Sequence, residues 1–172
     1  EPVDVQIDNL VDRYPDGDKD VLKDIQLDVP AGTSVAFVGG SGSGKTTLVD
    51  LILGLLTPTS GTISSQGKDI HTDLHSWYQK IGYVPQDPYL GNGTLREAVA
   101  FGIPEKHIDD DRVIYCLELA ELMPVVETLE DGINTSIGEN GNRLSGGQRQ
   151  RVGIARAMYR NPSLLVMDEA TS

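Results

Sequence analysis

Gly39-Gly-Ser-Gly-Ser-Gly-Lys-Thr46 fits the pattern G-x-x-x-x-G-K-[ST] in full, and this stretch decides the fold. Its glycines allow successive backbone N–H groups to turn inward around an anion. A helix is predicted from Thr46 to Leu56, and its first turn would add the positive end of the helix dipole. Lys45 would supply a point charge to the β- and γ-phosphates of a nucleotide, while the Thr46 hydroxyl could bind Mg²⁺. The stretch therefore predicts a phosphate-binding loop; a glycine-rich turn with a lysine in register by chance is the alternative.

Apolar patterning around this loop predicts the order of strands and helices. Ser34-Val-Ala-Phe-Val38 is a nearly continuous apolar run, typical of a strand buried on both faces. Val3–Leu10 and Val21–Val29 alternate apolar and polar residues, which predicts an antiparallel pair with one wet face. The other predicted elements are short strands at Thr62–Ile63 and Ile81–Val84, a mainly helical region from about Thr94 to Met158, and a strand at Leu164–Met167. This order is typical of an α/β protein with a helical insertion between two core strands.

Length and composition place the chain among ordinary globular domains. It has 172 residues, 38% of them hydrophobic, which suits a single domain with its own core. Cys116 is the only cysteine, which excludes an intramolecular disulfide framework or a cysteine-based metal cluster and fits a reducing compartment. No apolar run reaches the roughly 20 residues of a membrane-spanning helix. The formal charge of −12 argues against a nucleic-acid partner bound through a basic face.

The negative charge is concentrated in two segments. Residues 1–30 hold nine acids and three bases, and residues 104–131 hold nine acids and two bases. The rest of the chain has eight acids and nine bases, and within it residues 143–160 contain five arginines and no acid. Acidic segments of this kind are usually solvated surface. The arginine stretch would instead give a local positive field suited to an anionic ligand.

A second motif with carboxylates lies near the end of the sequence. Leu164-Leu-Val-Met167 is an apolar strand followed directly by Asp168 and Glu169. A phosphate-binding loop of this type works with a carboxylate that holds the metal ion, and Asp168 is the candidate. Because adjacent strand residues point in different directions, Glu169 could polarise a water molecule that attacks the γ-phosphate. The alternative is that both are solvent-exposed groups at the end of a strand.

Leu144-Ser-Gly-Gly-Gln-Arg-Gln-Arg151 resembles the signature motif of ATP-binding cassette (ABC) ATPases. Its setting is similar too, since it follows the predicted helical insertion and precedes a helix and the Leu164–Glu169 stretch. Ser145 offers a hydroxyl, Gly146 and Gly147 leave the backbone open, and the next helix presents its N-terminus. A second phosphate-binding helix end is therefore predicted, with a flexible helix-capping turn as the alternative. The resemblance to the family covers the whole chain.

Other positions match the ABC family one at a time. Gln86, after Tyr83-Val-Pro85, resembles the Q-loop glutamine, which implies contact with the metal ion, the γ-phosphate and the membrane domain. Tyr14 resembles the aromatic residue that stacks on adenine, although a surface role is an alternative. Ile137-Gly-Glu-Asn-Gly141 resembles the Val-Gly-Glu-x-Gly element of the exporter branch, with Asn140 where that branch often has arginine.

The resemblance implies a fold, a chemistry and partners. The expected fold is α/β, a single ABC ATP-binding domain over residues 1–172. A P-loop NTPase core together with an N-terminal antiparallel β subdomain would take 1–85 and 159–172, and an inserted α-helical subdomain with the Q-loop and the signature helix would take 86–158. We expect ATP and Mg²⁺ as ligands, ATP hydrolysis, and a head-to-tail dimer in which the signature closes over ATP bound to a second such domain. A transmembrane transport domain is the other expected partner, at the cytoplasmic face of the cell membrane. The implied residues are Glu169, Lys45 and Gln86 for catalysis; Tyr14, Gly39, Gly40, Ser41, Gly42, Ser43, Gly44, Lys45, Thr46, Thr47, Ser145, Gly146, Gly147 and Gln148 for the nucleotide; and Thr46, Gln86 and Asp168 for the metal ion.

Both ends of the sequence suggest that the chain is part of a longer protein. It begins with Glu1 and not with an initiator methionine, and Ser172 closely follows the Asp-Glu pair. In the ABC family a dimer-contacting loop and a histidine that contacts the γ-phosphate come after that pair. His71, His75 and His107 all precede the signature, so surface positions are expected for them. The fragment could then bind ATP and hydrolyse it poorly, which leaves a nucleotide-binding module as an alternative function.

Two further classes of protein are disfavoured. A soluble ABC ATPase of DNA repair or translation would carry a large coiled-coil insertion or zinc-binding cysteines in several of its types, and the chain has neither. Its acidic charge also disfavours binding to nucleic acid. A G protein would carry a guanine-reading Asn-Lys-x-Asp motif, which the sequence lacks. The leading expectation is the ATPase domain of an ABC exporter.

Overall fold

The computed structural model describes residues 2–13 and 19–168, and its contacts divide the chain into two units. The first unit runs from Glu1 to Ile81 and the second from Gly82 to Ser172. Two residues predicted to act on the nucleotide, Tyr14 and Glu169, lie outside the described residues. Within the described ranges, the helices are all too short or too polar to cross a lipid bilayer.

The first unit is built on an antiparallel sheet of four strands, β1 (Val5–Arg13), β2 (Asp20–Val29), β3 (Ser60–Ser65) and β4 (Lys68–Asp69). Their order in the sheet is β2-β1-β3-β4. Ile7 of β1 stands opposite Leu27 of β2 and Ile63 of β3, and both isoleucines are fully buried. The alternation along β1 breaks at Asn9, whose φ of 48° accompanies a shift in register. The predicted antiparallel pair at the N-terminus is thus confirmed.

Helix α1 (Lys45–Ile52) follows the glycine-rich loop and ends four residues earlier than the apolar pattern predicts. The cause is local, because Gly54 takes a φ of 74°, the left-handed conformation that commonly ends a helix. Leu55 and Leu56, the last apolar residues of the predicted helix, are therefore exposed. The face of α1 that packs on the core consists of Thr47, Leu48, Leu51 and Ile52, which have the spacing of one helical face.

Helix α2 (Leu74–Lys80) fixes the end of α1. Asp73 caps α2 by accepting a hydrogen bond from the backbone N–H of Ser76. The buried indole of Trp77 donates to the carbonyl of Ile52 at 2.9 Å, which satisfies one of the carbonyls left unpaired at a helix C-terminus. A short 3₁₀ turn at Ile70–Thr72 connects β4 to this helix.

The buried strand predicted at Ser34–Val38 is wrong. Neither sheet includes residues 33–40, and Val35, Phe37 and Val38 are exposed. An apolar run expresses a preference for burial, but a strand forms only where a neighbour pairs with its N–H and C=O groups. Among the described residues, the sheet strands of the first unit pair with one another and not with this segment. The glycine-rich loop is therefore followed by its predicted helix but not preceded by the predicted strand.

The second unit contains the predicted helical insertion. Its largest buried residues include Leu95, Leu117 and Val152, which come from three different helices and form one core. Arg112 closes the end of the longest helix by donating to the carbonyls of Met158 and Tyr159, as cations commonly do at a helix C-terminus. The helices are α3 (Leu95–Val99), α4 (Asp110–Leu119), α5 (Met123–Val126) and α6 (Gly146–Tyr159), with 3₁₀ turns at Glu105–His107, Gly132–Asn134 and Glu139–Gly141.

A two-stranded sheet of β5 (Ile81–Val84) and β6 (Leu164–Met167) completes the second unit. Both strands lie where the sequence predicts them. Gly82 packs closely on the end of α6, since a Cβ there would lie 2.7 Å from the carbonyl oxygen of Ala157. β6 is less buried than its apolar composition suggests, because Leu165 and Met167 are exposed.

Candidate functional site

The glycine-rich loop owes its turn to two glycines with a left-handed backbone. Gly42 has a φ of 77° and Gly44 a φ of 89°. Gly44 is also the N-cap of α1, where a Cβ would lie 2.8 Å from the Leu22 side chain and 3.3 Å from the carbonyl oxygen of Val21. The entry into α1 thus passes so close to β2 that glycine is the residue that fits.

Lys45 points back into this loop. Its ammonium group donates to the carbonyl oxygens of Gly39 at 2.7 Å and Gly40 at 2.9 Å, and it lies 3.5 Å from Ser43 Oγ. A cationic donor therefore sits inside the curve of the loop at the start of α1. The first N–H groups of a helix have no acceptor within the helix and carry partial positive charge. A fixed charge beside such N–H groups favours an anion such as phosphate.

The two threonines after Lys45 have different surroundings. Thr46 is exposed, whereas Thr47 is only 4% exposed and belongs to the core of the first unit. An exposed hydroxyl beside bound phosphates suits Mg²⁺, which prefers oxygen ligands and usually keeps one or two protein ligands together with phosphate oxygens and water. The described ranges contain no cluster of three or more histidine, cysteine or acidic side chains.

Ser145 and Gln148 form a capping box at the start of α6. The Ser145 hydroxyl accepts a hydrogen bond from the Gln148 N–H at 3.2 Å, and the Gln148 side chain accepts one from the Ser145 N–H at 2.8 Å. Gly146 and Gly147 are exposed, and a Cβ on Gly147 would meet nothing within 4 Å. The predicted helix N-terminus is present, and the capping turn given as its alternative is present as well. Both descriptions apply to the same four residues.

The arginines around this turn bind carbonyl oxygens. Arg149 donates to Leu144 at 3.0 Å, and Arg151 donates to Glu121 at 2.8 Å. Arg156 donates to Ala98 at 2.7 Å, and burial lowers the pKa of its guanidinium group, which remains charged. The acid-free stretch 143–160 had suggested a field for an anionic ligand. Four of its five arginines instead donate to backbone carbonyls of the second unit, since Arg143 also donates to Ser136 at 3.4 Å.

Gln86 and Asp168, both predicted to bind the metal ion, belong to the second unit. Gln86 is exposed and follows β5 by two residues. Asp168 directly follows β6, and its N–H donates to the carbonyl of Val84 at 2.9 Å, which continues the pairing of the two strands. Asp168 as a residue is partly exposed. Gln86 and Asp168 thus leave the ends of neighbouring strands, a common location for ligand-binding residues in α/β sheets.

The motif search missed two side chains that shape the second unit. Arg156 binds two backbone carbonyls and lies over the Phe101 ring, 4.7 Å from its centre. Asn140 accepts a hydrogen bond from the Leu90 N–H at 2.8 Å. The sequence marks Asn140 only as a departure from the exporter pattern. Its bonding partner lies 50 residues away in the chain, so no local pattern reveals the contact.

Comparison with known proteins identifies the family to which the chain belongs. Residues 22–172 match the profile of the ABC transporter family. The ATP-dependent lipid A-core flippase of Cupriavidus pinatubonensis is 48% identical over 162 residues, which are 93% of this chain and 28% of the flippase. The ABC transporter ATM1 of Toxoplasma gondii is 41% identical over 162 residues, which are 94% of this chain and 14% of that protein.

A solved structure agrees with these sequences. The structure of a bacterial Atm1-family ABC exporter with ATP bound is similar to this chain with a TM-score of 0.89 and 36% identity, over 99% of this chain and 29% of that one. The chain therefore spans less than a third of the length of these relatives. It belongs to the ABC transporter family, and it corresponds to the nucleotide-binding domain of the exporters in that family.

Proposed function

We propose that this domain binds MgATP at the loop 39–46 and hydrolyses it to drive transport across a membrane. One observation carries the proposal. The ammonium group of Lys45 lies within 2.9 Å of two loop carbonyls at the N-terminus of α1, where the chain is shaped by glycines with a left-handed backbone. This combination of a fixed cation, open backbone and helix N-terminus is suited to phosphate groups.

The proposed division of labour follows from the chemistry of each group. Lys45 and the loop N–H groups bind the β- and γ-phosphates and stabilise the charge that develops during transfer. Thr46 and Asp168 supply a hydroxyl and a carboxylate oxygen for Mg²⁺, and Gln86 adds an amide oxygen. Glu169 orients the attacking water and accepts its proton. Tyr14 stacks on the adenine ring.

The signature turn is proposed to act on a nucleotide bound by a second domain. Ser145 and the two glycines after it lie at the N-terminus of α6, the longest helix among the described residues, and all three are exposed. A helix N-terminus with an exposed hydroxyl and open backbone can bind phosphate. In a head-to-tail pair each domain would receive the signature turn of the other, so ATP would hold the dimer closed until hydrolysis.

The remaining partner is proposed to be the transmembrane part of an exporter, with this domain on the cytoplasmic face. Support comes from the relatives, which are exporters at least three times as long as the chain. Their names differ in cargo, with lipid A-core in one, sophorolipid in another and multidrug resistance in a third, at 48%, 39% and 40% identity to this chain. We propose that the choice of cargo lies outside the nucleotide-binding domain.

Titration of the chain with MgATP, followed by calorimetry, tests the binding step. Charge-assisted hydrogen bonds contribute about 1.5–3 kcal/mol, so Lys45→Ala should weaken binding by at least about tenfold. Lys23→Ala is the matched control, because it removes the same charge from an exposed position on β2. Equal affinities for both variants would overturn the proposed phosphate site.

Steady-state phosphate release from the intact protein tests the hydrolytic step. Glu169→Gln keeps the shape of the side chain and removes its basicity, so turnover should fall strongly while ATP binding persists and holds the dimer closed. Undiminished turnover would remove Glu169 from the proposed role. The same assay on the 172-residue chain distinguishes an ATPase from a nucleotide-binding module, which would bind MgATP without turnover.

A further inference from the structure

Two distant segments of the second unit run side by side. The Leu95 N–H donates to the carbonyl of Thr135 at 3.0 Å, and the Ile137 N–H donates to the carbonyl of Gly93 at 3.0 Å. Thr94 and Ser136 form an isolated antiparallel bridge between these two bonds. One segment begins just after Gln86, and the other leads directly into the signature turn. We call residues 89–95 the first segment and residues 135–141 the second segment.

Asn140 extends this contact with its side chain. Its Oδ1 accepts a hydrogen bond from the Leu90 N–H at 2.8 Å, and its own N–H donates to the Asn92 side chain at 3.3 Å. Leu90 is only 2% exposed, so without this acceptor its N–H would have little water to bond to and would be left unpaired. Gly141 packs on the same leucine, since a Cβ there would lie 2.8 Å from Leu90 Cδ1.

The backbone at Asn140 restricts which residues can make this contact. Its φ of 48° lies in the left-handed region, which asparagine, aspartate and glycine tolerate better than other residues. Among these three, asparagine and aspartate carry an acceptor oxygen at the required position. Arginine has no acceptor at all, so the residue common at this position in the exporter branch could not replace the bond.

Helix α6 also holds the start of the first segment. Arg156 donates to the carbonyls of Tyr89 and Ala98 and lies over the Phe101 ring. The first segment is therefore bound at Tyr89 by the signature helix and at Leu90 by the loop that precedes it. A guanidinium donor and an amide acceptor thus bind backbone groups of adjacent residues.

We propose that Asn140 is a positioning residue that makes the first segment and the signature turn move as one body. The turn begins at Ser145, five residues after Asn140, and the intervening chain is short and hydrogen-bonded, with the Arg143 N–H donating to Ile137 and the Leu144 N–H to Gly141. A displacement of the segment after Gln86 is thereby passed to the N-terminus of α6. The effect on ATP hydrolysis rests on the proposed function, whereas the mechanical tie does not.

Amide hydrogen exchange of the full chain tests the tie without nucleotide. Asn140→Gly relaxes the backbone and removes the acceptor, so the Leu90 amide should exchange about fivefold faster, the effect of losing one hydrogen bond. The Gln148 and Arg149 amides, which are bonded to Ser145, should also exchange faster. Asn140→Asp keeps the acceptor and should restore slow exchange. A change confined to Leu90, or no change there, would overturn the proposal.

ATP hydrolysis by the intact protein gives the functional readout. Asn140→Gly should lower kcat by about fivefold with little change in KM for MgATP, because the loop around Lys45 is untouched, and Asn140→Asp should restore kcat. Asn161→Gly is the matched control, since Asn161 is exposed and has a φ of 55°. Equal effects of the two glycine variants, or a change in KM alone, would contradict a positioning role. Absence of turnover in the unsubstituted protein would instead refute the proposed function and leave the exchange result standing.

Discussion

Replacing Ser145 by alanine and by aspartate separates its structural role from its proposed role at phosphate. The hydroxyl accepts a hydrogen bond from the Gln148 N–H at 3.2 Å. Loss of an N-cap side chain costs about 1 kcal/mol, so Ser145→Ala should destabilise the domain by that amount. Aspartate caps a helix as well as serine and is attracted by the helix dipole. Ser145→Asp should therefore stay within about 0.5 kcal/mol of the unsubstituted protein.

Urea unfolding followed by circular dichroism measures the structural effect. With a dependence of about 2 kcal/mol per molar urea, Ser145→Ala should lower the midpoint by about 0.5 M, and Ser145→Asp should change it by less than about 0.25 M. Asp109→Ala is the matched control, because Asp109 caps α4 by accepting from the Arg112 N–H at 3.0 Å. It should lower the midpoint as much as Ser145→Ala. Equal midpoints for the two Ser145 variants would refute the assignment of the cap.

Phosphate release from the intact protein measures the proposed contact with ATP. A carboxylate at position 145 would face phosphate oxygens of the same charge, and like charges across an interface cost several kcal/mol. Ser145→Asp should therefore reduce turnover by at least about tenfold although its fold is as stable as before. Asp109→Ala should keep its turnover although its fold is weaker. Unchanged turnover in Ser145→Asp would show that the signature turn does not approach phosphate.

Three further predictions concern stability. Gly61→Ala should cost about 3 kcal/mol, because φ is 86° there and an added Cβ would overlap the backbone carbonyl of Asn9, as urea unfolding would show. Leu117→Ala should also cost about 3 kcal/mol in urea unfolding, because the fully buried side chain would leave a cavity in the core of the second unit. Hydrogen bonds from Thr94 lower the pKa of Glu97 from its ordinary 4.5, so its contribution is complete above that pH and is lost as the pH falls through the lowered pKa. Glu97→Gln should accordingly flatten the loss of stability below about pH 4.5 in thermal unfolding at several pH values, and an unchanged profile would contradict this cause.

Those parts of the fold that depend on neighbours in sequence could be predicted from the sequence. The alternation in β1 and β2 matches an antiparallel pair because every second residue faces the same side of a sheet. The start of α1 follows from the glycines and Lys45 before it. Its end is set by Gly54. The apolar residues on both sides of this glycine, Leu53, Leu55 and Leu56, made the predicted helix too long.

The failures of prediction lie where a residue depends on a distant partner. Ser34–Val38 has the composition of a buried strand, but composition cannot supply a neighbouring strand. Arg156 donates to the carbonyl of Ala98, which lies 58 residues away in the chain. The charge pattern of the sequence therefore indicates a basic stretch but does not reveal this hydrogen bond. For the candidate site, the phosphate loop and the capping turn are visible as motifs because each is built from consecutive residues.

The charges of the chain act mainly at short range, and this changes what the net charge of −12 can say about partners. Several acids in the most acidic segment serve the start of one helix, since Asp109 caps α4 and Asp110 and Asp111 lie in its first turn, where the dipole favours negative charge. Arg112, a cation, donates hydrogen bonds to the carbonyls at the C-terminal end of α6, where the dipole favours positive charge. Because exposed charges are screened over about 10 Å at ordinary salt, only charges within that range of the loop would affect its proposed affinity for phosphate. Affinity for an anion should therefore follow Lys45 and the backbone around it, and an acidic protein can bind ATP.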